Sequence, residues 1–161
     1  MGDPLNTGFA EAVAGFATGV VVLTVRDGRD DLGTTVTSFM SVSLDPPMVL
    51  ASVSTTSYLT EVLTRQPRWA ATILSANQRA LAGRFASEGR PSARILLASL
   101  PHHRGEHSDA LIPETGVAAL ECETRHILES GDHTLFTAEA LATDYTTRDQ
   151  EPLIRVNRRY L

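Results

Sequence analysis

Hydroxyl side chains are concentrated between Gly33 and Ser57, and their types and spacing suit the binding of a ligand. Two β-prone segments in this stretch are joined by Asp45-Pro46-Pro47 and carry almost no charge. The hydroxyls belong to Thr35, Thr37, Ser38, Ser41, Ser43, Ser52, Ser54, Thr55, Thr56 and Ser57. Small donors of this kind, with close backbone approach, favour a flat ligand that has polar edges. A pair of strands with one wet face has the same composition, so both interpretations stay open at this point.

Ser57 adds a second kind of chemistry, because it precedes a short predicted helix with Leu59, Val62 and Leu63 facing inward. A serine at this position is a good N-cap. The helix start also offers free backbone N–H groups and a favourable dipole, which suit a phosphate. A plain N-cap and a phosphate site are both compatible with these residues.

His133 follows the tight turn Ser130-Gly131-Asp132, at the predicted start of a strand. A neutral imidazole there can donate to a carbonyl or amide oxygen, or stack on a flat ring, and it titrates near neutral pH. A turn histidine that is simply paired with Asp132 is the alternative.

Other ionisable residues are candidates for a metal site or an acid–base pair. Three histidines and two carboxylates lie close together in the sequence: His102, His103 and His107, with Glu106 and Asp109. Their spacing matches no helical zinc motif, and Pro101 and Gly105 indicate a loop, so we predict a solvated loop and no metal site. Glu121 and Glu123 share one face of a predicted strand, and we expect that face to be solvated.

The apolar patterning predicts a mainly β protein with a few short helices. Val20–Val25 is a β-branched run that we expect to be buried on both faces. The other predicted strands are 33–43, 48–54, 69–74, 117–128, 133–145 and 152–156, and the predicted helices are 6–16 and those beginning at Ser57 and Asn77. Ser87 to Glu114 is a long, partly irregular connection. Short strands at this spacing predict a closed or partly closed antiparallel barrel, formed by residues 1–161 as one domain.

The composition of the chain and the motifs that it lacks exclude several classes of function. The chain has 161 residues, 42% of them hydrophobic, and a formal net charge of −5, which argues against nucleic-acid or anionic-membrane partners. Cys122 is the single cysteine, and no apolar run approaches the length of a membrane span. The N-terminal residues lack the pattern of a secretory leader, so we expect a cytoplasmic protein. The sequence has no dinucleotide-binding glycine motif, no Walker loop and no Gly-x-Ser-x-Gly elbow.

Several short motifs occur in a specific order along most of the chain. They are Phe16-Ala17-Thr18-Gly19-Val20, Thr37-Ser38-Phe39, Ser41-Val42-Ser43-Leu44-Asp45-Pro46-Pro47, Arg84-Phe85-Ala86, Leu120-Glu121-Cys122, Gly131-Asp132-His133 and Pro152-Leu153. This set resembles the small flavin reductase family, the reductase partners of two-component flavin monooxygenases. The resemblance implies an FMN-binding split β-barrel, antiparallel and Greek-key-like, that forms a homodimer. It also implies reduction of FMN or FAD by NADH or NADPH, often with release of flavin to a separate monooxygenase.

The resemblance also implies roles for individual residues. Thr35, Val36, Thr37 and Ser38 would line the isoalloxazine edge, and Ser52, Ser54 and Ser57, with Arg84 and Phe85, would hold the ribityl and phosphate end. His133 would face the ring where nicotinamide stacks, as a positioning residue for hydride transfer.

Two departures from the family pattern leave other functions open. Ala138 stands where the family usually has a glycine, and Ser87 to Glu114 lacks the family's typical Lys-Phe segment. A flavin-binding module without reductase turnover, serving as a carrier or regulatory subunit, is therefore an alternative. A self-contained flavin oxidase is another.

Overall fold

The computed structural model describes residues 2–161, and in that range the chain forms four α-helices and twelve strands. In chain order they are α1 (Pro4–Ala14), β1 (Thr18–Gly19), β2 (Val21–Asp27), β3 (Asp30–Val36), β4 (Phe39–Leu44), β5 (Pro47–Ser54), α2 (Tyr58–Arg65), β6 (Arg68–Ile73), α3 (Arg79–Ala86), α4 (Ala93–Leu96), β7 (His102–Arg104), β8 (Leu111–Pro113), β9 (Ala118–Ser130), β10 (His133–Thr146), β11 (Ile154–Val156) and β12 (Arg159–Tyr160). A single 3₁₀ turn at Ala76–Gln78 precedes α3.

Seven strands form one antiparallel sheet in the order β3-β2-β6-β9-β10-β5-β4. β3 and β4 are consecutive in the chain, yet they lie at opposite edges of this sheet. Residues 37–38 join them, and the Ser52 N–H donates to the Ser38 carbonyl at 2.9 Å. The sheet therefore curls into a split barrel, and we call the gap between its two edges the seam. The prediction of an antiparallel barrel is confirmed.

β2 lies between two hydrophobic layers. Val21, Leu23 and Val25 belong to the barrel core, with Trp69 and Phe136. Full burial of a side chain of this size contributes about 1.5–3 kcal/mol. The opposite face of the same stretch packs under α3 through Val20 and Val22, against Leu81, Phe85 and Leu153. Burial of this strand on both faces is confirmed.

Asp31 fastens the segment that follows α3 to the edge strand β3. Its carboxylate is almost fully buried and is bound by Arg94 at 2.9 Å and Arg104 at 2.8 Å. Burial acts to raise the pKa of Asp31, but the hydrogen bonds from Arg104 and Arg94 outweigh it and hold the pKa below its usual value. This ion-pair network fixes the connection between α3 and β8 against the barrel.

Two details of the chain differ from the sequence prediction. The predicted strand 33–43 is wrong as one continuous element, because residues 37–38 leave the ladder and cross the seam. The connection 87–114 is more regular than predicted, since it contains α4 and the β7–β8 pair.

Several apolar side chains of α1 and β4 are exposed, and we call this set of residues the apolar band. They are Leu5, Phe9, Val13 and Phe16 from α1 and its C-terminal end, with Met40, Val42 and Leu44 from β4. None of the α1 residues is buried. Among residues 2–161, no helix has the length and apolar character that crossing a membrane requires.

Candidate functional site

A cavity of about 550 Å³ lies at the seam. Its walls come from the end of β3, the crossing residues Thr37 and Ser38, the end of β5, and the turn that opens β10. The lining residues are Thr34, Thr35, Val36, Thr37, Ser38, Ser52, Val53, Ser54, Thr56, Ser57, Glu88, Gly89, Arg90 and His133. A volume of this size is within the range of pockets that hold cofactors and other small molecules.

The backbone N–H groups of Thr37 and Ser38 are the donors that distinguish this cavity. Within residues 2–161, neither group donates to another backbone oxygen, since the chain leaves β3 before Thr37 and enters β4 after Ser38. Backbone donors without partners need a ligand or water. Two adjacent donors of this kind can stabilise negative charge on the edge of a bound ring.

The residues predicted at the isoalloxazine edge differ in what they offer to the cavity. Some can contribute only backbone groups, and others can also contribute their side chains. The Val36 side chain is buried in the barrel core, so only its backbone can face the cavity. The Thr35 hydroxyl donates to the Ala82 carbonyl at 2.7 Å and is therefore occupied by α3. The side chains of Thr37 and Ser38 make no hydrogen bond to other parts of the described chain, which leaves their hydroxyls to a ligand.

Hydroxyls at the other end of the cavity surround the start of α2. Ser57 is the N-cap, and its Oγ accepts from the Leu59 N–H at 3.3 Å, as predicted. The Ser54 and Thr56 hydroxyls lie 3.3 Å apart. The helix start and these hydroxyls provide the donors that a phosphate requires.

His133 lies directly opposite Ser54 in the pairing of β10 with β5. Its Nδ1 is 2.7 Å from the Asp132 carboxylate, and this hydrogen bond lowers the pKa of Asp132. The Thr55 N–H donates to the Asp132 carbonyl at 2.9 Å and ties the turn to the end of β5. Pairing with Asp132 and a place in the cavity are therefore compatible, because the Nε2 edge of the imidazole is left for a ligand.

Arg84 and Phe85 are not brought to this cavity. Phe85 is fully buried beneath β3, where its ring occupies the space that a side chain on Gly33 would need. Phe85 therefore does not line the seam cavity, and this position gives no support to its predicted role at the ribityl and phosphate end. Arg84 is exposed and lines a different cavity, with Gln78, Leu100 and Thr115, so its position gives no support to its predicted role at the phosphate end.

Arg90 is the cation that sequence reasoning missed. It lines the cavity beside Ser57, and its Nε donates to the Gly33 carbonyl at 2.7 Å. Partial burial lowers the pKa of Arg90, but a guanidinium remains charged near neutral pH. Gly89, with φ +65°, makes the turn that directs this segment to the seam. The Gly89-Arg90-Pro91 sequence was the available signal, because it predicts a tight turn.

The histidine-rich segment forms a separate cluster around a cavity of about 670 Å³. His103 is bound at Nδ1 by Glu114 at 3.0 Å and at Nε2 by Asp144 at 2.7 Å. Within residues 2–161, no group of three or more His, Cys, Asp or Glu side chains has a metal-binding arrangement.

Glu121 is buried, and the prediction that it shares a solvated face with Glu123 is wrong. Its carboxylate accepts from the His107 N–H at 2.9 Å, the Ser108 N–H at 2.6 Å and the Ser108 hydroxyl at 2.6 Å. These contacts give Glu121 a structural role, because they fasten the loop before β8 to β9. Burial raises the pKa of the neighbouring Cys122 thiol to about 12, so it stays protonated.

Comparison with known proteins decides which family has this site. Residues 13–161 match the family model of the flavin reductase like domain. The chain belongs to the flavin reductase family. The matched range includes every residue that lines the seam cavity.

Three relatives show what flavin reductases of this type do. The NADH-dependent FMN reductase of Streptomyces nodosus subsp. asukaensis is 37% identical over 134 residues, which are 83% of this chain and 72% of that protein. The reductase component of 4-hydroxyphenylacetate 3-monooxygenase from Thermus thermophilus is 36% identical over 129 residues, 80% of this chain and 78% of that protein. The structure of a Streptomyces globisporus NADH:FAD oxidoreductase with NAD and FAD fragments has a TM-score of 0.89 and 31% identity, and covers 100% of this chain and 94% of that chain.

Ala138, the departure from the flavin reductase pattern, lies away from the cavity lining. It is fully buried in the barrel core, next to an irregularity in the pairing of β10 with β9. Its methyl group therefore fills the core and leaves the seam cavity unchanged.

Proposed function

We propose that this protein is an NAD(P)H:flavin oxidoreductase that binds FMN or FAD in the seam cavity. The observation that carries the proposal is the pair of unpartnered N–H groups on Thr37 and Ser38, at one end of a hydroxyl-lined cavity in a flavin reductase fold. The donor set fits a flavin, because backbone donors suit the ring edge while Ser57 and Arg90 suit the phosphate.

Bound flavin supplies an acceptor for the hydride of a reduced nicotinamide. Thr37 and Ser38 would hold the ring edge, and their N–H groups would stabilise negative charge at that edge. Ser52 and Ser54 would bind the ribityl side, and Ser57, Thr56 and Arg90, which line the same cavity, would bind the phosphate. His133 orients the nicotinamide through its Nε2 edge, with Asp132 fixing the other side of the imidazole.

Delivery of the reduced flavin to a separate monooxygenase follows from the kinds of relatives. The Thermus thermophilus relative is the reductase component of a monooxygenase, and the Streptomyces nodosus relative is an NADH-dependent FMN reductase. We therefore infer NADH as the preferred donor and a flavin-dependent monooxygenase as the recipient.

The apolar band supports a homodimer. Phe16, Met40 and Leu44 are 77%, 56% and 89% exposed in the single chain. Covering side chains of this size removes apolar surface from water, and a second copy covers them with a self-complementary surface. Phe16 lies beside Ser38 in a smaller cavity, so such a dimer places its interface next to the flavin site.

We also propose a single domain and a cytoplasmic location for this protein. Residues 1–161 act as one domain, which is supported by the family match over 13–161 and by a barrel built from both halves of the chain. A cytoplasmic location follows from a reaction that consumes cytoplasmic nicotinamide nucleotides.

A stopped-flow matrix of FMN and FAD against NADH and NADPH tests the proposed activity. We expect flavin reduction with NADH for at least one flavin. The absence of reduction in all four combinations contradicts the proposal. Tight flavin binding without reduction identifies a flavin-binding module instead, and oxygen consumption without added nicotinamide identifies an oxidase.

Replacing His133 with alanine tests the place of nicotinamide. We expect His133→Ala to lower kcat/KM for NADH about tenfold with an unchanged melting temperature, since the side chain is half exposed and packs little. His126→Ala is the matched control, because His126 lies on the same hairpin and bonds only to Thr137. Equal kinetics for the two variants remove His133 from the site.

A further inference from the structure

A small cationic cavity adjoins the flavin cavity. It has a volume of about 250 Å³ and shares Thr37 and Ser38 with the larger site. Its remaining walls come from the end of α1 and from the β11–β12 hairpin, which carries Arg155 and Arg158. The Asn157 N–H donates to the Ala14 carbonyl at 2.6 Å and fixes the hairpin against α1.

Both arginines of this cavity lack a carboxylate partner. Neither Arg155 nor Arg158 forms an ion pair anywhere in residues 2–161, whereas Arg26, Arg65, Arg68, Arg94, Arg104 and Arg125 all do. No aspartate or glutamate lines the cavity. Arg155 lies over the Tyr160 ring at 5.9 Å from its centroid, which leaves its guanidinium N–H groups for another partner. Two such cations beside each other attract an anion.

The backbone at Arg158 adopts a conformation that a long side chain disfavours. Asn157 and Arg158 make the tip of the β11–β12 hairpin with φ of +50° and +62°. Asparagine tolerates this region, but a long side chain is disfavoured there relative to glycine. A non-glycine residue in such a conformation beside a cavity is a reason to look for a function.

The position of the small cavity indicates which kind of anionic ligand can reach it. The proposed function places the flavin phosphate at the opposite end of the larger cavity, beside Ser57 and Arg90. An anion at the Thr37–Ser38 end then fits a second ligand that reaches the ring. A nicotinamide dinucleotide has a diphosphate one ribose away from its reactive ring, and arginine binds phosphate oxygens in bidentate geometry.

We propose that Arg155 and Arg158 form a binding site for the diphosphate of the nicotinamide dinucleotide. The inference rests on the proposed function and adds to it the residues that hold the reductant. Arg155 and Arg158 contribute to dinucleotide affinity and leave the flavin affinity and the hydride-transfer step unchanged.

Arg158→Gly and Asn157→Gly are a matched pair of variants. Each variant places glycine at a positive φ angle and removes the strain of a larger side chain there. We therefore expect both variants to melt at or above the wild-type temperature. Only Arg158→Gly removes the cation. We expect it to raise the Kd for NAD⁺, measured by calorimetry on flavin-loaded protein, and the KM for NADH about tenfold. Its kcat and its Kd for FMN should remain those of the wild type.

ADP serves as a diphosphate probe that lacks nicotinamide. We expect ADP to inhibit the wild type competitively against NADH and to inhibit Arg158→Gly about tenfold more weakly. Arg155→Gln should weaken ADP and NAD⁺ binding in the same direction.

Two results would overturn the assignment of the diphosphate to Arg155 and Arg158. NAD⁺ and ADP affinities of Arg158→Gly within twofold of the wild type overturn the proposal. Weaker binding of FAD with unchanged FMN and NAD⁺ binding assigns the cavity to the flavin's own diphosphate and also overturns it. If the wild type binds NAD⁺ but reduces no flavin, the proposed function fails while the calorimetry still tests the arginine site.

Discussion

At the residue scale, two arginines that lie six positions apart line different cavities. Arg84 belongs to a motif of the flavin reductase resemblance, but α3 directs it away from the seam. Arg90 belongs to no such motif, yet the turn at Gly89 brings it to Ser57. A motif identifies a segment of the fold, whereas the side chains that reach a ligand depend on where the helix ends.

Replacing each of these arginines separates their roles. We expect Arg90→Gln to weaken FMN binding about tenfold to a hundredfold, because a charge-assisted hydrogen bond to phosphate contributes about 1.5–3 kcal/mol. Arg84→Gln should leave the FMN Kd unchanged. Fluorescence titration of both variants measures the difference. If Arg84→Gln is the weaker binder, the assignment of the phosphate end to Arg90 is wrong.

Glu121 shows why some residues are beyond sequence reasoning. Its alternation with Glu123 predicts one solvated strand face, and Glu123 does pair at the surface with Arg68. The partners of Glu121 are the backbone N–H groups of a loop that lies 13 and 14 positions earlier. The path of that loop is a tertiary property, and no local pattern encodes it.

At the scale of elements, the sequence predicted the strands that line the cavity but not the break between β3 and β4 at residues 37–38. The hydroxyl-rich stretch 33–57 does line the cavity through β3 and β5. Its alternation continues through residues 37–38 without a break, so it predicts one strand there. The break comes from barrel closure, because β3 and β4 are the two edge strands and pair with β2 and β5 respectively.

Ser57 can act as the N-cap of α2 and also as part of a phosphate site. A pair of N-cap variants separates these two roles. Ser57→Ala and Ser92→Ala each remove an N-cap and should each lower the free energy of unfolding by about 1 kcal/mol. Only Ser57→Ala should weaken FMN, about fivefold, while riboflavin binding stays unchanged because it lacks the phosphate. Equal FMN affinity in both variants identifies Ser57 as a cap alone.

The β7–β8 segment is held by an ion-pair network that depends on pH. Burial acts to lower the pKa of His103, but the hydrogen bonds to Glu114 and Asp144 outweigh it and raise the pKa above its usual value. The stabilisation is therefore complete below the unfolded-state pKa near 6.5 and is lost as the pH rises through the folded-state pKa.

Urea unfolding of the wild type and His103→Gln over a pH series measures this effect. We expect the wild type to be the more stable at acid pH, with the difference shrinking as the pH rises. His102→Gln is the control, since His102 bonds only to the Leu100 carbonyl. A difference that is constant with pH contradicts the proposed ionisation of His103.

On the scale of the whole molecule, the apolar band remains exposed in the single chain although the core is well packed. Phe9→Glu and Leu44→Glu place a charge on this band, and an unpaired charge in an apolar interface is strongly unfavourable. We expect both variants to elute as monomers where the wild type is a dimer, as measured by light scattering. Ile95→Glu, at an exposed apolar residue outside the band, should not change the mass. A monomeric wild type that binds flavin fully contradicts the homodimer.

The seam has a consequence for how a ligand leaves. The crossing at residues 37–38 puts the binding groups in a cleft between two sheet margins, while Trp69 and Phe136 stay sealed inside the barrel. When the ring departs, water can solvate the freed amides and hydroxyls, and no packed side chain has to move aside. A protein organised in this way can bind and release its ligand repeatedly while the packing of its core stays unchanged.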